Sequence, residues 1–333
     1  MLMVSVVVPV YDEAEVLEQF HARLAAAMIA TGVDWEVVYV NDGSRDRSLD
    51  IMHALRARDA HVAVLNLSRN FGKEIALTAG LDRAAGDAVV VIDADLQDPP
   101  ELIPELLEVW ATGVDIVYAQ RQSRRGESWL KRQTAFAFYR VMRRLTKIDI
   151  PPDTGDFRLM SRRSVDALLQ LREHHRFMKG LFAWVGFSTR AVPYLREARA
   201  GGASKWNYWK LWNFALEGIT GFSVLPLKVA TYLGLGIALL SGLYAVYLVI
   251  STLIYGNPVP GYPSLLVAIL FMGSTQLIVL GIIGEYLGRS FNELKQRPLY
   301  FVESYSPPDS RTNGMSQALH EVSRVHHNVR ATG

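Results

Sequence analysis

The chain has 333 residues, enough for one large or two ordinary domains. Lys and Arg number 35 against 33 Asp and Glu, a net charge of +2, so global charge points to no nucleic-acid partner. With no cysteine, a disulfide framework, a thiolate metal site and a thiol nucleophile are all excluded.

Met1 to Val10 has no basic residue ahead of its apolar run and no small-residue cleavage site, so it reads as a first strand and not as a signal peptide. Residues 4 to 118 then alternate strand and helix. Strands are expected at Val4–Val10, Trp35–Val40, Val62–Leu67, Ala88–Ile92 and Ile116–Tyr118. Helices are expected at Asp12–Ala30, Asp46–Arg58, Lys73 to about Ala85 and, after Pro99-Pro100, Glu101–Trp110. This alternation predicts an α/β fold with a mostly parallel sheet covered on both faces.

Each strand end delivers polar residues to one edge of that sheet: Tyr11, Asp12 and Glu13; Asn41 and Asp42; Ser68 and Arg69; Asp93, Asp95 and Gln97. Ligands of open α/β sheets bind at that edge. Asp93-Ala94-Asp95-Leu96-Gln97-Asp98 follows a β-branched run that reads as a buried strand. Two carboxylates two residues apart repel unless a positive charge sits nearby. A hard divalent cation that shares its oxygen ligands with a phosphate would supply one. Both common phosphate loops are missing. Gly72-Lys73 lacks the glycine of a Walker A loop, and Gly234-Leu235-Gly236 lies inside an apolar run with no strand before it.

From Arg121 to Lys147 nine residues are basic and only Glu127 is acidic. On a helical wheel the apolar and basic residues separate. That pattern suits a helix on an anionic membrane surface, one gripping a phosphate, or a solvated face over an ordinary core. Asp153-Thr154-Gly155-Asp156 reads as a turn, followed by a helix from about Ser164 and an apolar run from Phe177 to Val185 broken only by Lys179. Gly201-Gly202-Ala203-Ser204-Lys205 is a flexible loop leading into Trp206, Tyr208, Trp209 and Trp212, a mixture of aromatic and basic residues that belongs at a membrane interface or, since the tryptophan spacing suits a helix face, in a core.

Val229–Tyr255 carries no charge over 27 residues and Tyr262–Gly284 none over 23. At ~1.5 Å per residue either crosses a hydrocarbon layer of ~30 Å. They are read as a transmembrane hairpin, and its presence favours the membrane reading of the basic helix. Lys228 on one side and Arg289, Lys295 and Arg297 on the other place both ends in the cytoplasm. The expected organisation is a cytoplasmic domain over 1–215, the hairpin within 216–290, and a cytoplasmic C-terminal segment over 291–333. Pro307 to Gly333 is read as a disordered tail.

Val4 to Glu13, Asn41-Asp42-Gly43-Ser44, Arg69-Asn70-Phe71-Gly72-Lys73 and the 93–100 stretch together resemble glycosyltransferase family 2, with its GT-A fold. Gly155 to Arg162, Phe177-Met178-Lys179-Gly180 and Gly261 to Val267 are similar to the bactoprenol glucosyltransferases, relatives of dolichol-phosphate mannose synthase. The resemblance covers about residues 4 to 300 and implies residue roles. Pro9, Tyr11, Glu13 and Asp42 would hold uridine, with Asp93 beside the ribose and diphosphate. Lys73 would join this nucleotide-sugar set, and Lys205 would lie in a loop closing over the donor. Asp95 and Gln97 would ligate Mg²⁺ or Mn²⁺. Arg121, with Lys131 or Arg132, would hold the acceptor phosphate. Asp156 matches a position that often carries a catalytic carboxylate, here either a base or an orienting group.

The implied reaction is inverting transfer of one hexose, glucose foremost, from a UDP-sugar to undecaprenyl phosphate at the bacterial inner membrane. Its product would serve cell-envelope glycan modification such as that of lipopolysaccharide O-antigen. Relatives also imply a homo-oligomer. The Gln-x-x-Arg-Trp motif of processive synthases is missing, which argues for single-sugar transfer. Amino-arabinose or mannose as the sugar, and a membrane-anchored nucleotide-binding scaffold, are the rival readings. The intact Asp95 and Gln97 weigh against the scaffold.

Overall fold

A computed structural model of the chain describes residues 2–122, 154–174, 176–194, 225–256 and 261–309. The basic run beyond residue 122, with Lys131 and Arg132, lies outside the described residues, as do Lys205, the aromatic stretch 206–212 and the tail from 310. The described residues fall into two compact units: 2–122, 154–174, 176–194 and 298–309 make one, and 225–256 with 261–297 the other.

The first unit begins β1 (Met3–Val10), α1 (Leu17–Thr31), β2 (Asp34–Asn41), α2 (Ser48–Arg58), β3 (Val62–Leu67), α3 (Lys73–Arg83) and β4 (Ala88–Val91). A short 3-10 turn, Pro100–Leu102, leads into α4 (Ile103–Trp110) and β5 (Ile116–Arg121). Then come β6 (Thr154–Ser161), α5 (Arg162–Leu169), α6 (Met178–Trp184) and β7 (Thr189–Tyr194), and a last strand, β8 (Val302–Ser306), joins from beyond the second unit. One sheet holds all eight strands in the order β7-β5-β6-β4-β1-β2-β3-β8. β1 runs parallel to β2 and β4, β2 to β3, and β5 to β7, whereas β6 is antiparallel to β4 and β5, and β8 to β3. The expected parallel sheet is therefore the centre of a mixed one.

Alternation in β1 explains why both faces are covered. Val4, Val6, Val8 and Val10 pack with Phe20 and Leu24 of α1, Met52 of α2 and Leu106 of α4. On the other face Val38, Val40 and Leu65 meet Ala76 and Ala79 of α3. Gly80 makes that approach possible, because a Cβ there would lie 2.3 Å from a Val7 methyl and 2.9 Å from one of Val40.

Two sequence readings are corrected. First, α1 starts at Leu17, not Asp12. Asp12 has φ +53, and the amides of Asp12, Glu13 and Ala14 donate to Ser44 Oγ, Ser48 Oγ and Asp46 Oδ2, so residues 12–14 are tied to the loop after β2 instead of coiling. Second, Thr154–Asp156 is the start of β6 and not a turn, because the ladder with β4 and β5 satisfies its backbone. Beyond these, the segment after the second apolar helix, for which no element was expected, contributes a strand to the sheet.

The second unit consists of α7 (Leu225–Tyr255, 31 residues) and α8 (Tyr262–Leu294, 33 residues). Both are long and apolar enough to cross a membrane by length and composition. Their large side chains, among them Tyr232, Leu239, Leu243, Leu277 and Leu280, stay exposed instead of packing into a protein core. α8 continues past the charge-free run into an Arg289–Glu285 pair one turn apart.

Candidate active site

β2 and β3 extend the sheet to one side of β1, and β4 returns to the other. Strand order reverses between β1 and β4, so the loops leaving their C-terminal ends open a crevice. The loop after β1 carries Tyr11 and Glu13; the loop after β4 carries Asp93 to Asp98. Pro9 stands opposite Val40 near the end of the β1–β2 ladder. In the β4 loop burial alternates. Ala94, Leu96 and Asp98 are buried, while Asp93, Asp95 and Gln97 are half-buried. Leu96 adopts φ +58, a costly conformation for a residue with a Cβ and one that clusters at functional sites. Here it drives the Leu96 side chain inward and turns its neighbours out.

Asp42, at the end of β2, accepts from the Phe71 amide (2.7 Å) on one oxygen and the Gly72 amide (3.0 Å) on the other. Burial pushes its carboxyl up, against those two amides and Arg69. It thereby clamps the loop that starts α3. Gly43 lies so close to that loop that a Cβ would meet the Asn70 nitrogen at 2.5 Å, and its φ of +66 suits glycine as well.

Lys73, the first residue of α3, is the hub. Its Nζ donates to Asp93 Oδ2 at 2.7 Å and to Asp156 Oδ2 at 2.6 Å. The antiparallel register explains the meeting: the β4–β6 ladder ends with Val91 paired to Arg158, so the start of β6 runs on beside the loop that leaves β4. Burial opposes the Lys73 charge, but the two carboxylates outweigh it and hold the ammonium well above its usual range. Burial likewise opposes charge on Asp156; Lys73, Lys179 and Arg158 outweigh it and hold this carboxyl well below the usual carboxylate range. Asp93 moves the other way, raised by burial and by Asp156 despite Lys73. Asp156 Oδ1 is buried and, among the described residues, accepts no hydrogen bond.

Arg121 closes the other side. It ends β5 opposite Tyr194 of β7, and its Nε donates to the Tyr194 hydroxyl at 3.4 Å, which in turn donates to Asp98. Gly155 leaves room for this arrangement, since a Cβ there would lie 3.2 Å from an Arg121 guanidinium nitrogen.

The donor set tests the expected cation. Asp95 and Gln97 offer hard oxygens, and Asp95 Oδ1 accepts the Gln97 amide at 3.1 Å, which fixes their turn. Among the described residues no three His, Cys, Asp or Glu gather around one point. Such a set fits Mg²⁺ or Mn²⁺ held by one or two protein oxygens and shared with a diphosphate, not a protein cage.

Sequence reasoning left five neighbours of this site without a role: Glu74, Asp98, Arg158, Lys179 and Tyr194. Arg158 is buried, donates to the Gly155 and Asp156 carbonyls and stacks 3.6 Å over Phe182; burial lowers it to about 10. Glu74 is raised to about 8 by burial and Asp156, against Lys73 and Lys179. Burial lowers Lys179, with Asp156 opposing. Asp98, Arg158 and Lys179 lay inside stretches the sequence had singled out, and Lys179 was also the lone charge in its apolar run, but their roles, like those of Glu74 and Tyr194, need β6 and β7 in place.

This frame, a mixed sheet with carboxylates at the switch point, is a GT-A fold. The family described as glycosyl transferase family 2 matches residues 5–169, and the GtrB C-terminal hairpin matches residues 225–290. An uncharacterized glycosyltransferase of Synechocystis is 57% identical over 298 residues, 90% of this chain and 94% of that one. The SfII prophage-derived bactoprenol glucosyl transferase of Shigella flexneri is 49% identical over 302 residues, 91% of this chain and 98% of that one. A crystal structure of Mycobacterium tuberculosis glucosyl-3-phosphoglycerate synthase with Mn²⁺, UDP-glucose and phosphoglyceric acid is 20% identical, with a TM-score of 0.45 over 66% of this chain and 78% of that one. The chain belongs to glycosyltransferase family 2.

Proposed function

We propose that the protein transfers one glucose from UDP-glucose to a polyprenyl phosphate, undecaprenyl phosphate in a bacterial inner membrane. The Lys73–Asp93–Asp156 cluster beside Asp95 and Gln97 carries this reading, with the bactoprenol glucosyl transferase relatives as support for sugar and acceptor. Tyr11, Glu13 and Asp42 bracket the uridine, and Asp93 lies toward the ribose and diphosphate. A divalent cation held by Asp95 and Gln97 would stabilise the charge on the departing diphosphate.

Arg121, oriented through Tyr194 and Asp98, aims the acceptor phosphate at the sugar's C1. The C1–oxygen bond to UDP breaks with its electron pair leaving on UDP, and a phosphate oxygen of the acceptor forms the new bond from the opposite face. An α-linked donor then gives a β-linked product. A phosphate monoester, with a second pKa near ~6, is largely dianionic at pH 7 and needs no deprotonation. A general base works best with a pKa near the operating pH. Asp156 is held far below it, so its role is to fix Lys73 and orient the reactants. The apolar hairpin keeps the catalytic domain, over 1–215, where the lipid's phosphate emerges, with both termini on the cytoplasmic side.

The test is direct. Purified full-length protein with Mg²⁺ and polyprenyl phosphate is given UDP-glucose, UDP-amino-arabinose or GDP-mannose in turn, and the glycolipid is identified by mass. A glucose-phosphate lipid formed only with UDP-glucose is expected. Product with another sugar alone, or none with any, overturns the reading.

A further inference from the structure

The C-terminal strand β8 does more than cover an edge. Beyond β3, an uncovered edge would present unpaired backbone groups, and β8 pairs with it antiparallel. The ladder is irregular between Asn66 and Leu67. Bulges of this kind re-aim side chains near functional sites.

At this point a side-chain relay begins. Glu303 Oε2 accepts from Asn66 Nδ2 at 2.8 Å. Asn66 Oδ1 accepts from Asn41 Nδ2, also at 2.8 Å. Asn41 Oδ1 accepts from the Ser44 amide at 3.2 Å, and Ser44 Oγ accepts from the Asp12 amide at 3.1 Å. Asn41 and Asn66 are buried. An ionised carboxylate only accepts hydrogen bonds, so Glu303 sets which way both amides point and gives the chain one polarity. A second tie runs beside it: the Phe301 carbonyl accepts the Ser68 amide at 3.0 Å, at the root of the loop that Asp42 clamps.

We propose that β8 is a working part of the nucleotide-donor site, with Glu303 and Asn66 as positioning residues that hold the Asp12 and Asn41–Ser44 loops for a uridine nucleotide. Glu303 acts 237 positions along the chain from Asn66, after the second apolar helix. The proposal rests on the uridine reading of those loops. It adds that donor affinity depends on the segment following the hairpin.

The experiment titrates UDP with Mg²⁺ into the full-length protein by calorimetry and follows thermal unfolding of the same samples. Glu303→Ala is expected to weaken UDP binding about tenfold, the equivalent of ~1.4 kcal/mol, with the unfolding midpoint unchanged. Glu303→Gln, which still offers an acceptor, is expected to recover most of the affinity. Asn66→Ala combined with Glu303→Ala is expected to bind no more weakly than Asn66→Ala alone. Arg56 grips the same segment further on, donating to the Pro307 carbonyl and Asp309, and Arg56→Ala is expected to leave UDP affinity intact. Unchanged affinity in Glu303→Ala, or equal weakening in Arg56→Ala, overturns the relay. A wild-type protein that binds no UDP is a different failure, which removes the uridine reading and the relay together.

Discussion

Replacing Lys73 by Met keeps a side chain of similar length and removes the charge that joins Asp93 to Asp156. Both carboxylate oxygens lie within 2.7 Å of one nitrogen, so they stand no more than ~5 Å apart. Two like charges at ~5 Å repel by ~3 kcal/mol at an effective dielectric of ~20. The Lys73 side chain is 44% exposed, and screening by water reduces the expected loss to ~1–2 kcal/mol. At ~2–4 °C per kcal/mol for a unit of this size, the unfolding midpoint falls by ~2–8 °C at pH 7.5. The pH dependence follows from Asp156, whose folded pKa lies below its unfolded one. Its charge stabilises the fold above the usual carboxylate range near ~4, and that contribution is lost as pH falls below it. Removing Lys73 relaxes the depression, so the gap between wild type and variant narrows as pH falls below ~4, and Lys73→Arg restores most of the lost stability at neutral pH. The assay is thermal unfolding of the full chain in detergent from pH 7.5 to 3.5. Equal midpoints at pH 7.5, or a gap that persists undiminished to pH 3.5, refute the reasoning.

Asp156→Asn keeps the shape and removes the charge; turnover is expected to fall by less than ~10²-fold, below the ~10²–10⁴ of general-base catalysis, with the profile between pH 6 and 8 unchanged, as steady-state kinetics will check. Gly80→Ala places a methyl 2.3 Å from Val7 and 2.9 Å from Val40, and this overpacking is expected to cost ~1–3 kcal/mol in denaturant unfolding, with no loss marking a helix free to shift. Asp115 is buried, accepts from Arg163, Ser161 and Ser188, and is held down at about 2, first by Arg163. Asp115→Ala is expected to cost ~2–3 kcal/mol at pH 7. The contribution is full above ~4 and fades as pH falls toward about 2, so the gap from wild type in thermal melts narrows there.

How much was legible varied with distance along the chain. The β-branched runs of β1 to β4 could bury on both faces only as parallel strands under helices, and local spacing carried that information. The same spacing marked Asp93, Asp95 and Gln97, because a carboxylate pair at a strand end is a local pattern. Asp156 was marked by its match to a family motif, but its strand was hidden. One glycine between two aspartates has the composition of a turn, and only the ladder from β4 and β5 pulls it straight. The start of α1 was hidden for the opposite reason, since the side chains that capture the amides of residues 12–14 come from the loop after β2.

The sequence by itself determined the alternation of strand and helix, the two apolar helices and the carboxylate-rich edge, all properties of neighbours within a few turns or one strand. Tertiary structure alone decided that Lys73 would join Asp93 to Asp156, that Tyr194 would lie between Arg121 and Asp98, and that a strand from the far end of the chain would be tied through Asn66 and Asn41 to the loops after β1 and β2. Each of these unites residues on elements far apart in the chain that meet around one sheet. Strand order and register, which set those meetings, come from the packing of the whole sheet and leave no periodic trace in any one segment.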